Sequence, residues 1–345
     1  MPQTWPDVLT TLVAGHDLDA STTVWAMDQI LAGEATDSQI AGFAVALRAK
    51  GETAEELRGL ADAMLARATR LDIPGRFVDI VGTGGDRSRT VNISSMSAVV
   101  AAGADVGVVK HGNRAASSAS GTADVFEVLG IRLDVPAARI PEVFARAGIT
   151  FCFAPVFHPS FRHTAVPRRE LGIATPFNFL GPLTNPAQPA ASAIGCADVR
   201  MAPLMAGVLA SRGHDAFVFR GEDGLDEITI TTTTQVWEVS GGEVVESVLD
   251  PTELGFALAP PASLVGADPA FNADVFRRVV AGEVSPVRDA VLLNAGAAIA
   301  AHEAGDGTLI ERLAAGVERA RASIDSGAAA EKLATWAAAT QELAG

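Results

Sequence analysis

The sequence predicts an α/β protein in which a small N-terminal all-helical domain precedes a large α/β domain with a mainly parallel central sheet. Three observations support this fold class. The chain has 345 residues, 48% of them apolar, which suffices for about two domains at roughly 150 residues each. Apolar residues recur at helical spacing up to about residue 70, and beyond residue 74 short β-branched runs alternate with helical segments.

Two capping boxes predict where helices of the first domain begin. Thr36 and Gln39 form the first box, and apolar residues follow at i, i+3, i+4 and i+7 from Ile40 until Gly51 ends the helix. Residues 53–56 (TAEE) repeat the pattern. We therefore expect a helical domain over residues 1–72, completed by helices at about 168–190.

The second domain is predicted from short apolar runs that end at glycines or polar residues, as buried parallel strands do. A glycine pair in the segment 229–248 predicts an antiparallel hairpin, and the Ala-rich chain from about residue 271 is predicted to be helical. We expect the α/β domain to comprise residues 73–167 and 191–345, with strands at 77–81, 106–109, 150–153, 192–196 and 216–219.

Composition and charge exclude several classes of partner. The net charge of −15 repels nucleic-acid backbones and anionic membrane surfaces, so neither is an expected partner. Cys152 and Cys196 are too few for a disulfide framework and are expected to be reduced. The start of the chain does not resemble a signal peptide, and no run of 18 apolar residues occurs. A cytoplasmic protein is expected.

A glycine-rich turn, residues 82–86 (GTGGD), follows the first predicted strand. Glycines at a strand-to-helix turn let backbone N–H groups approach phosphate oxygens. Thr90, Asn92, Ser94 and Ser95 follow near the start of the next helix and add polar groups. The turn is neither GxGxxG nor GxxxxGK[ST], so it predicts an anion site without specifying a dinucleotide or a P-loop. A purely structural turn with ordinary helix caps remains open.

Three further polar segments contain candidate ligand-binding residues. Residues 110–118 (KHGNRAASS) place three potentially cationic groups after the second strand, as a pyrophosphate site requires. Residues 221–227 (GEDGLDE) offer adjacent carboxylates that suit Mg²⁺ bridging to phosphate, although such turns are commonly only solvated surface. The proline-rich segment 157–186 is predicted to cross between domains, where Arg168 could bind a small carboxylate. His158 and His163 are interpreted as structural.

Taken in order, four motifs resemble those of the anthranilate phosphoribosyltransferase family. They are GTGGD at 82–86 with NIS at 92–94, KHGNR at 110–114 with SS at 117–118, LGPLTNP at 180–186, and GLDE at 224–227. The resemblance extends over nearly the whole chain. It implies a nucleoside phosphorylase/phosphoribosyltransferase-like fold and a homodimer formed through the helical domain. It also implies attack of anthranilate on C1 of 5-phosphoribosyl 1-pyrophosphate, giving N-(5-phosphoribosyl)anthranilate and pyrophosphate in tryptophan biosynthesis.

The resemblance also implies site residues at matching positions. Anthranilate would contact Gly82, Asn113 and Arg168, and Mg²⁺ would be bound by Ser94, Asp226 and Glu227. The phosphoribosyl pyrophosphate contacts would be Gly82, Gly85, Asp86, Thr90, Asn92, Ile93, Ser94, Ser95, Lys110, His111, Gly112, Asn113, Arg114, Ala115, Ala116, Ser117, Ser118 and Thr122. The chemistry of the reaction suggests two further roles: Lys110 would neutralise charge on the leaving pyrophosphate, and His111, which lies in the cationic segment, would orient the amine or accept its proton later.

Departures from the family pattern are few. Thr122 stands where serine is usual and keeps the hydroxyl, whereas Ala174 replaces a common arginine and Phe161 a commoner methionine. The latter two put fine substrate positioning in doubt, but not the reaction class.

Two alternatives remain at this point. A pyrimidine nucleoside phosphorylase resembles the chain in architecture, but it has no need of the carboxylates of Asp226 and Glu227 on Mg²⁺. A non-catalytic relative that binds nucleic acid conflicts with the net charge of −15.

Overall fold

The N-terminal part of the chain is helical. The structure is a computed structural model that describes residues 3–114 and 120–344. Both predicted capping boxes are present, at Thr36 and at Thr53, and Gly51 ends the third helix as expected. The helices are α1 (Trp5–Val13), α2 (Ala20–Ala32), α3 (Asp37–Lys50) and α4 (Ala54–Ala66).

A seven-stranded sheet forms the centre of the rest of the chain, in the order β3-β2-β1-β4-β5-β6-β7. The first five strands are parallel, and β6 and β7 add an antiparallel hairpin at one edge, which confirms the predicted mainly parallel sheet. The strands are β1 (Val78–Gly82), β2 (Val108–Gly112), β3 (Ile149–Phe153), β4 (Ala191–Gly195), β5 (Asp215–Gly221), β6 (Thr234–Ser240) and β7 (Glu243–Leu249).

Several predicted strand boundaries differ from the structure, two of them by several residues. The second strand was expected to end at residue 109, but β2 continues through Lys110 and His111 to Gly112. Polar side chains can occupy this central strand because the Lys110 ammonium donates to the carbonyl oxygen of Ile80 and the His111 imidazole is hydrogen-bonded to the carbonyl oxygen of Gly181. The hairpin was expected from residue 229 but begins at Thr234.

Further helices flank the sheet or connect its strands. Short 3-10 helices at Pro159–Thr164, Pro176–Phe179 and Gly181–Leu183 lie in the proline-rich segment between β3 and β4. The α-helices are α5 (Ile93–Gly103), α6 (Thr122–Val128), α7 (Ile140–Ala147), α8 (Ala154–Phe157), α9 (Ala165–Leu171), α10 (Met201–Ser211), α11 (Pro269–Val280), α12 (Pro286–Glu303), α13 (Leu309–Asp325) and α14 (Ala328–Leu343).

The apolar side chains form two cores, one on each face of the sheet. One core joins the sheet to α5 and the C-terminal helices α12 to α14. The other joins α1 to α4 with α10, the opposite sheet face and the 3-10 helices that carry Phe177, Phe179 and Leu183. The proline-rich segment between β3 and β4 packs on the helical domain, beginning at Pro159, because its 3-10 helix Pro159–Thr164 contacts α2. In the described part of the chain, no helix is long and apolar enough to cross a membrane.

The order of strands creates a crevice at one edge of the sheet. After β3 the chain returns to the opposite side of β1 and forms β4, so neighbouring strands β1 and β4 continue into different parts of the fold. Ligands of open α/β sheets bind at the carboxyl ends of strands at such a switch point. Gly82 and Gly195, which end β1 and β4, are paired there.

Candidate functional site

The acidic loop after β5 lies directly on the glycine ends of β1 and β4. A Cβ atom at Gly82 would lie 2.2 Å from Oδ2 of Asp226, and one at Gly195 would lie 1.5 Å from the Asp226 carbonyl oxygen. The Gly84 N–H donates to Oδ2 of Asp226 at 2.7 Å. Only glycine permits this approach. The turn predicted to hold an anion therefore also holds the acidic loop in place.

Three carboxylates meet beside this turn without a cationic side chain in ion-pair contact, as far as the described residues show. Burial, and then the neighbouring Asp86, raise the pKa of Asp226 to about 6. Burial and Asp226 raise the pKa of Glu227 well above its ordinary value, although the Ser94 N–H donates to its carboxylate. Burial also raises the pKa of Asp86. Buried negative charge in this amount is unfavourable unless a cation compensates it.

The donor set fits a magnesium ion. Asp226 and Glu227 are each 9% exposed and offer hard oxygen ligands, with Ser94 at the start of α5 beside them. Within residues 3–114 and 120–344, no three His, Cys, Asp or Glu side chains are arranged to hold a metal on their own. A cation at Asp226 and Glu227 would therefore complete its coordination with substrate oxygens and water, as Mg²⁺ commonly does.

Lys110 lies in strand β2 and not, as predicted from the sequence, in a segment after that strand. It is 1% exposed, and its ammonium donates to the carbonyl oxygen of Ile80 and lies 3.4 Å from Oγ of Ser94. Burial lowers the pKa of Lys110, and the charges of Asp79, Glu227 and Asp226 oppose that shift. Lys110 thus supplies a buried positive charge close to the carboxylates.

His111 is a neutral hydrogen-bond acceptor in this arrangement. Its Nδ1 lies 2.9 Å from the carbonyl oxygen of Gly181, so Nδ1 carries the proton, and the buried Nε2 has no partner among the described residues. Burial, with a further contribution from His158, lowers the pKa of His111 to about 3. The ring of His158 lies 5.2 Å away. An imidazole with this pKa can accept a hydrogen bond at neutral pH but is a weak base.

Two adjoining cavities open at this edge of the sheet. A polar cavity of about 330 Å³ is lined by the glycine turn, the start of α5, the end of β2 and the carboxylates of Asp226 and Glu227. A more apolar cavity of about 590 Å³ is lined by α8, α9 and the proline-rich segment, including Phe161 and Phe177. Their common wall consists of Val81, Gly82, Thr83, His111, Gly112, Asn113, Arg168 and Asn178.

Arg168 projects a guanidinium without a polar partner among the described residues. It lies over the ring of Phe161, 5.3 Å from its centroid, and burial lowers the pKa of Arg168. A half-buried guanidinium that lines both cavities is available to a carboxylate or phosphate. Arg114, by contrast, is bound to Asp124 and Glu127.

The structure brings most of the predicted site residues to the polar cavity. Ser95 is an exception, because it is fully buried and its Oγ lies 3.3 Å from Oγ1 of Thr122. The predicted contacts Ala115, Ala116, Ser117 and Ser118 lie outside the described residues. The predicted residues that line the polar cavity are Gly82, Gly85, Asp86, Thr90, Asn92, Ile93, Ser94, Lys110, His111, Gly112, Asn113, Arg114, Thr122, Arg168, Asp226 and Glu227.

Sequence reasoning missed several lining residues and supports. Arg87 and Arg89 line the polar cavity, and their position beside the glycine turn was a signal that could have identified them. Asn178 lines both cavities and lies in the proline-rich segment. Asn272, on α11, donates to Oδ1 of Asn92 at 2.9 Å and so orients it. No local signal marked Gly195, because its role depends on which loop lies above β4.

Comparisons with known proteins agree along nearly the whole chain. Residues 6–68 match a sequence model described as "Glycosyl transferase family, helical bundle domain", and residues 74–330 match one described as "Glycosyl transferase family, a/b domain". An anthranilate phosphoribosyltransferase of Nocardioides is 65% identical over 337 residues, covering 98% of this chain and 99% of the relative. One of Arthrobacter is 60% identical, covering 98% of this chain and 96% of the relative.

Solved structures show the same fold. The crystal structure of anthranilate phosphoribosyltransferase from Thermus thermophilus has a TM-score of 0.90 at 39% identity, covering 97% of this chain and 99% of that one. The Saccharomyces cerevisiae enzyme in complex with PRPP and Mg has a TM-score of 0.89 at 26% identity, covering 99% of each chain. The same yeast enzyme has been solved in complex with 4-fluoroanthranilate. With 65% identity to a relative over nearly its full length and both domains matched in order, the chain belongs to the anthranilate phosphoribosyltransferase family.

Proposed function

We propose that this protein transfers the phosphoribosyl group of 5-phosphoribosyl 1-pyrophosphate to the amine of anthranilate in tryptophan biosynthesis. The products are N-(5-phosphoribosyl)anthranilate and pyrophosphate. The observation that carries this function is the pair of adjoining cavities with a common wall. One offers phosphate-binding backbone, a buried lysine and carboxylates for a cation, and the other is apolar and presents the guanidinium of Arg168.

The polar cavity suits the phosphoribosyl pyrophosphate. Its lining combines the glycine turn, the polar start of α5 and the buried ammonium of Lys110. Asp226, Glu227 and Ser94 would hold Mg²⁺, which when bound neutralises charge on the pyrophosphate oxygens. The yeast relative with PRPP and Mg supports this assignment, as do the carboxylates that need a cation.

The apolar cavity suits anthranilate, a flat aromatic ring with one carboxylate and one amine. Phe161 and Phe177 provide apolar surface, and the guanidinium of Arg168 is positioned to pair with the carboxylate. The lone pair on Nε2 of His111 can accept an N–H from the amine and so direct the nitrogen lone pair. The yeast relative bound to 4-fluoroanthranilate supports a ligand of this class.

The reaction breaks the bond between C1 and the pyrophosphate oxygen, which keeps the bonding electron pair, and forms a bond between C1 and the anthranilate nitrogen, which then releases one proton to solvent. Negative charge develops on the pyrophosphate, and positive charge develops on the ribose ring. Lys110 stabilises the leaving group electrostatically, which is usually the largest contribution to catalysis of this kind. The amine is neutral near pH 7 before attack, so the weak basicity of His111 is sufficient for orientation.

The decisive experiment follows the loss of anthranilate fluorescence on addition of 5-phosphoribosyl 1-pyrophosphate and Mg²⁺. We expect turnover that requires both additions. A parallel assay with a pyrimidine nucleoside and inorganic phosphate tests the phosphorylase alternative. Phosphorolysis in the second assay, with no loss of anthranilate in the first, would overturn the proposed function.

We also propose a cytoplasmic homodimer formed through the helical domain. The exposed apolar side chains of Val13, Val24 and Val45, at or beside α1, α2 and α3, support an interface there. Cys152 and Cys196 are unpaired and buried, in keeping with a reducing compartment. Sedimentation equilibrium should give twice the mass of one chain, and replacing Val13, Val24 and Val45 with serine should shift the protein toward monomer.

A further inference from the structure

Two arginines lie in the loop between the glycine turn and α5. Arg87 and Arg89 are exposed, and both line the polar cavity that also contains Asp226 and Glu227. They occupy the same short stretch as Gly84 and Gly85, whose φ angles of 68° and 87° place them in the left-handed region. The loop therefore brings two guanidinium groups to the wall of the proposed phosphoribosyl pyrophosphate site.

The backbone of both arginines is held in a conformation that ordinary residues avoid. Arg87 has a φ of 61° and Arg89 a φ of 53°, in the left-handed region that is unfavourable for side chains with a Cβ atom. The carbonyl oxygen of Arg89 accepts from the Gly266 N–H at 2.8 Å, and the next residues bond to the segment before Gly266. Residues 264–266 thus hold the loop from outside the cavity.

The guanidinium groups of this loop have no partner in the part of the chain that the structure describes. There, neither Arg87 nor Arg89 has a hydrogen bond or ion pair from its side chain, whereas Arg114 in the same cavity is bound to two acidic residues. The nearby carboxylate of Asp86 instead accepts the N–H of Ser88. Two such guanidinium groups are notable in a chain with a net charge of −15.

The polar cavity contains more carboxylates than cationic side chains that pair with them, as far as the described residues show. Asp86, Asp226 and Glu227 contribute three carboxylates to its wall, and the charge of Lys110 is opposed by the buried Asp79. A pyrophosphate group that enters this cavity therefore needs further positive charge beside it. Guanidinium groups bind phosphate oxygens through paired N–H donors, so arginine is suited to supply that charge.

We infer, on the basis of the proposed function, that Arg87 and Arg89 bind the pyrophosphate group of the substrate and stay bound to it while its bond to C1 breaks. The left-handed backbone holds the two residues at the cavity wall, and no carboxylate among the described residues competes with the ligand for their guanidinium groups. Arg87 and Arg89 thus add to the charge stabilisation supplied by Lys110 and the cation.

The test is calorimetric titration of inorganic pyrophosphate, in the presence of Mg²⁺, into the wild type, Arg87→Gln, Arg89→Gln and the double variant. We expect affinity to fall about fivefold for each arginine, as for the stronger exposed ion pairs, and about 25-fold for the double variant. The salt dependence of binding should also become shallower, because fewer charges contact the ligand. Arg277→Gln is the matched control, since Arg277 is exposed and lines neither cavity.

Two further variants separate charge from backbone conformation. Arg87→Lys with Arg89→Lys keeps the charge and should retain most of the affinity, whereas Arg87→Gly with Arg89→Gly relieves the left-handed backbone and should weaken binding as much as glutamine does. In turnover assays the double glutamine variant should raise KM for 5-phosphoribosyl 1-pyrophosphate and leave KM for anthranilate unchanged.

The outcomes are distinguishable from failure of the proposed function. Wild-type protein that binds pyrophosphate but does not consume anthranilate would refute the proposed reaction and leave the binding comparison valid. The role of Arg87 and Arg89 would be refuted if the double glutamine variant bound pyrophosphate with the same affinity and salt dependence as the wild type. Absence of pyrophosphate binding by the wild type would also refute it.

Discussion

Gly195→Ala should disable the site through a steric conflict with the acidic loop. A Cβ atom at residue 195 would lie 1.5 Å from the Asp226 carbonyl oxygen and 2.4 Å from its carbonyl carbon, and real Cβ atoms essentially never come closer than 3.0 Å to other heavy atoms. The Asp226 main chain would have to move by roughly 1.5 Å, since the interior cannot absorb such a shift elsewhere. The carboxylates of Asp226 and Glu227 would move with it.

The expected magnitude follows from this displacement. A misplacement of about 1 Å in a catalytic constellation costs roughly 100-fold in rate, so kcat/KM for 5-phosphoribosyl 1-pyrophosphate should fall by about that factor or more. The free energy of unfolding should fall by about 1–3 kcal/mol, as for other overpacked sites. Gly195 is not one of the glycines with a positive φ, so its backbone conformation adds no separate cost to the free energy of folding of the alanine variant.

The assay is anthranilate consumption measured by fluorescence over a range of Mg²⁺ concentrations, together with urea unfolding. Gly42→Ala is the matched control, because its Cβ would meet only Leu9 at ordinary contact distances of 3.6 and 3.9 Å. We expect wild-type activity from the control. A Gly195→Ala enzyme with kcat/KM and Mg²⁺ dependence within twofold of wild type would show that the close approach of Asp226 does not control the site.

Three further predictions concern the side chains of the site. Asp226→Asn combined with Glu227→Gln should lower Mg²⁺-dependent activity by at least about 100-fold, while the unfolding temperature without Mg²⁺ stays equal or rises because buried like charges are removed. Arg168→Gln should raise KM for anthranilate by about 10- to 150-fold, from the loss of a charged hydrogen bond, with little change in KM for the other substrate. His111→Asn should lower kcat without moving any limb of the pH–rate profile between pH 5 and 8, since the pKa of His111 is about 3 and the ring stays neutral there.

The pH dependence of stability offers an independent check on His111. An unfolded histidine binds a proton below about pH 6.5, whereas folded His111 does so only near its pKa of about 3. The stability that this difference contributes is complete above pH 6.5 and is lost as the pH falls toward 3. His111→Asn should therefore lose less stability over this range, as measured by urea unfolding at each pH.

Contrary results would be informative for each variant. Full Mg²⁺-dependent activity in the Asp226 and Glu227 double variant would refute the metal site. An unchanged KM for anthranilate in Arg168→Gln would show that a residue other than Arg168 binds the anthranilate carboxylate. A kinetic pKa near neutrality that disappears in His111→Asn would contradict the neutral, orienting role.

Local sequence signals determined the helical domain and much of the site. The capping boxes at Thr36 and Thr53 act within a few residues, so no tertiary information was needed to find them. The glycine turn, the cationic segment and the acidic pair were likewise recognised where they stand in the sequence, and their order identified the family. Parallel strands bring such segments to one edge of a sheet, which is why they could be combined into one site before the fold was known.

Tertiary structure alone decided how those groups work. Lys110 and His111 were expected in the loop after the second strand, but they lie in β2 itself, and the carbonyl oxygens of Ile80 and Gly181 give them buried partners. The role of Gly195 depends on its contact with Asp226, 31 positions away in the sequence. The role of Asn272 depends on its hydrogen bond to Asn92, 180 positions away. The sequence by itself determined which chemical groups the protein carries, because propensities and motifs act locally. Burial, charge state and free hydrogen-bonding capacity were decided only when distant segments packed together.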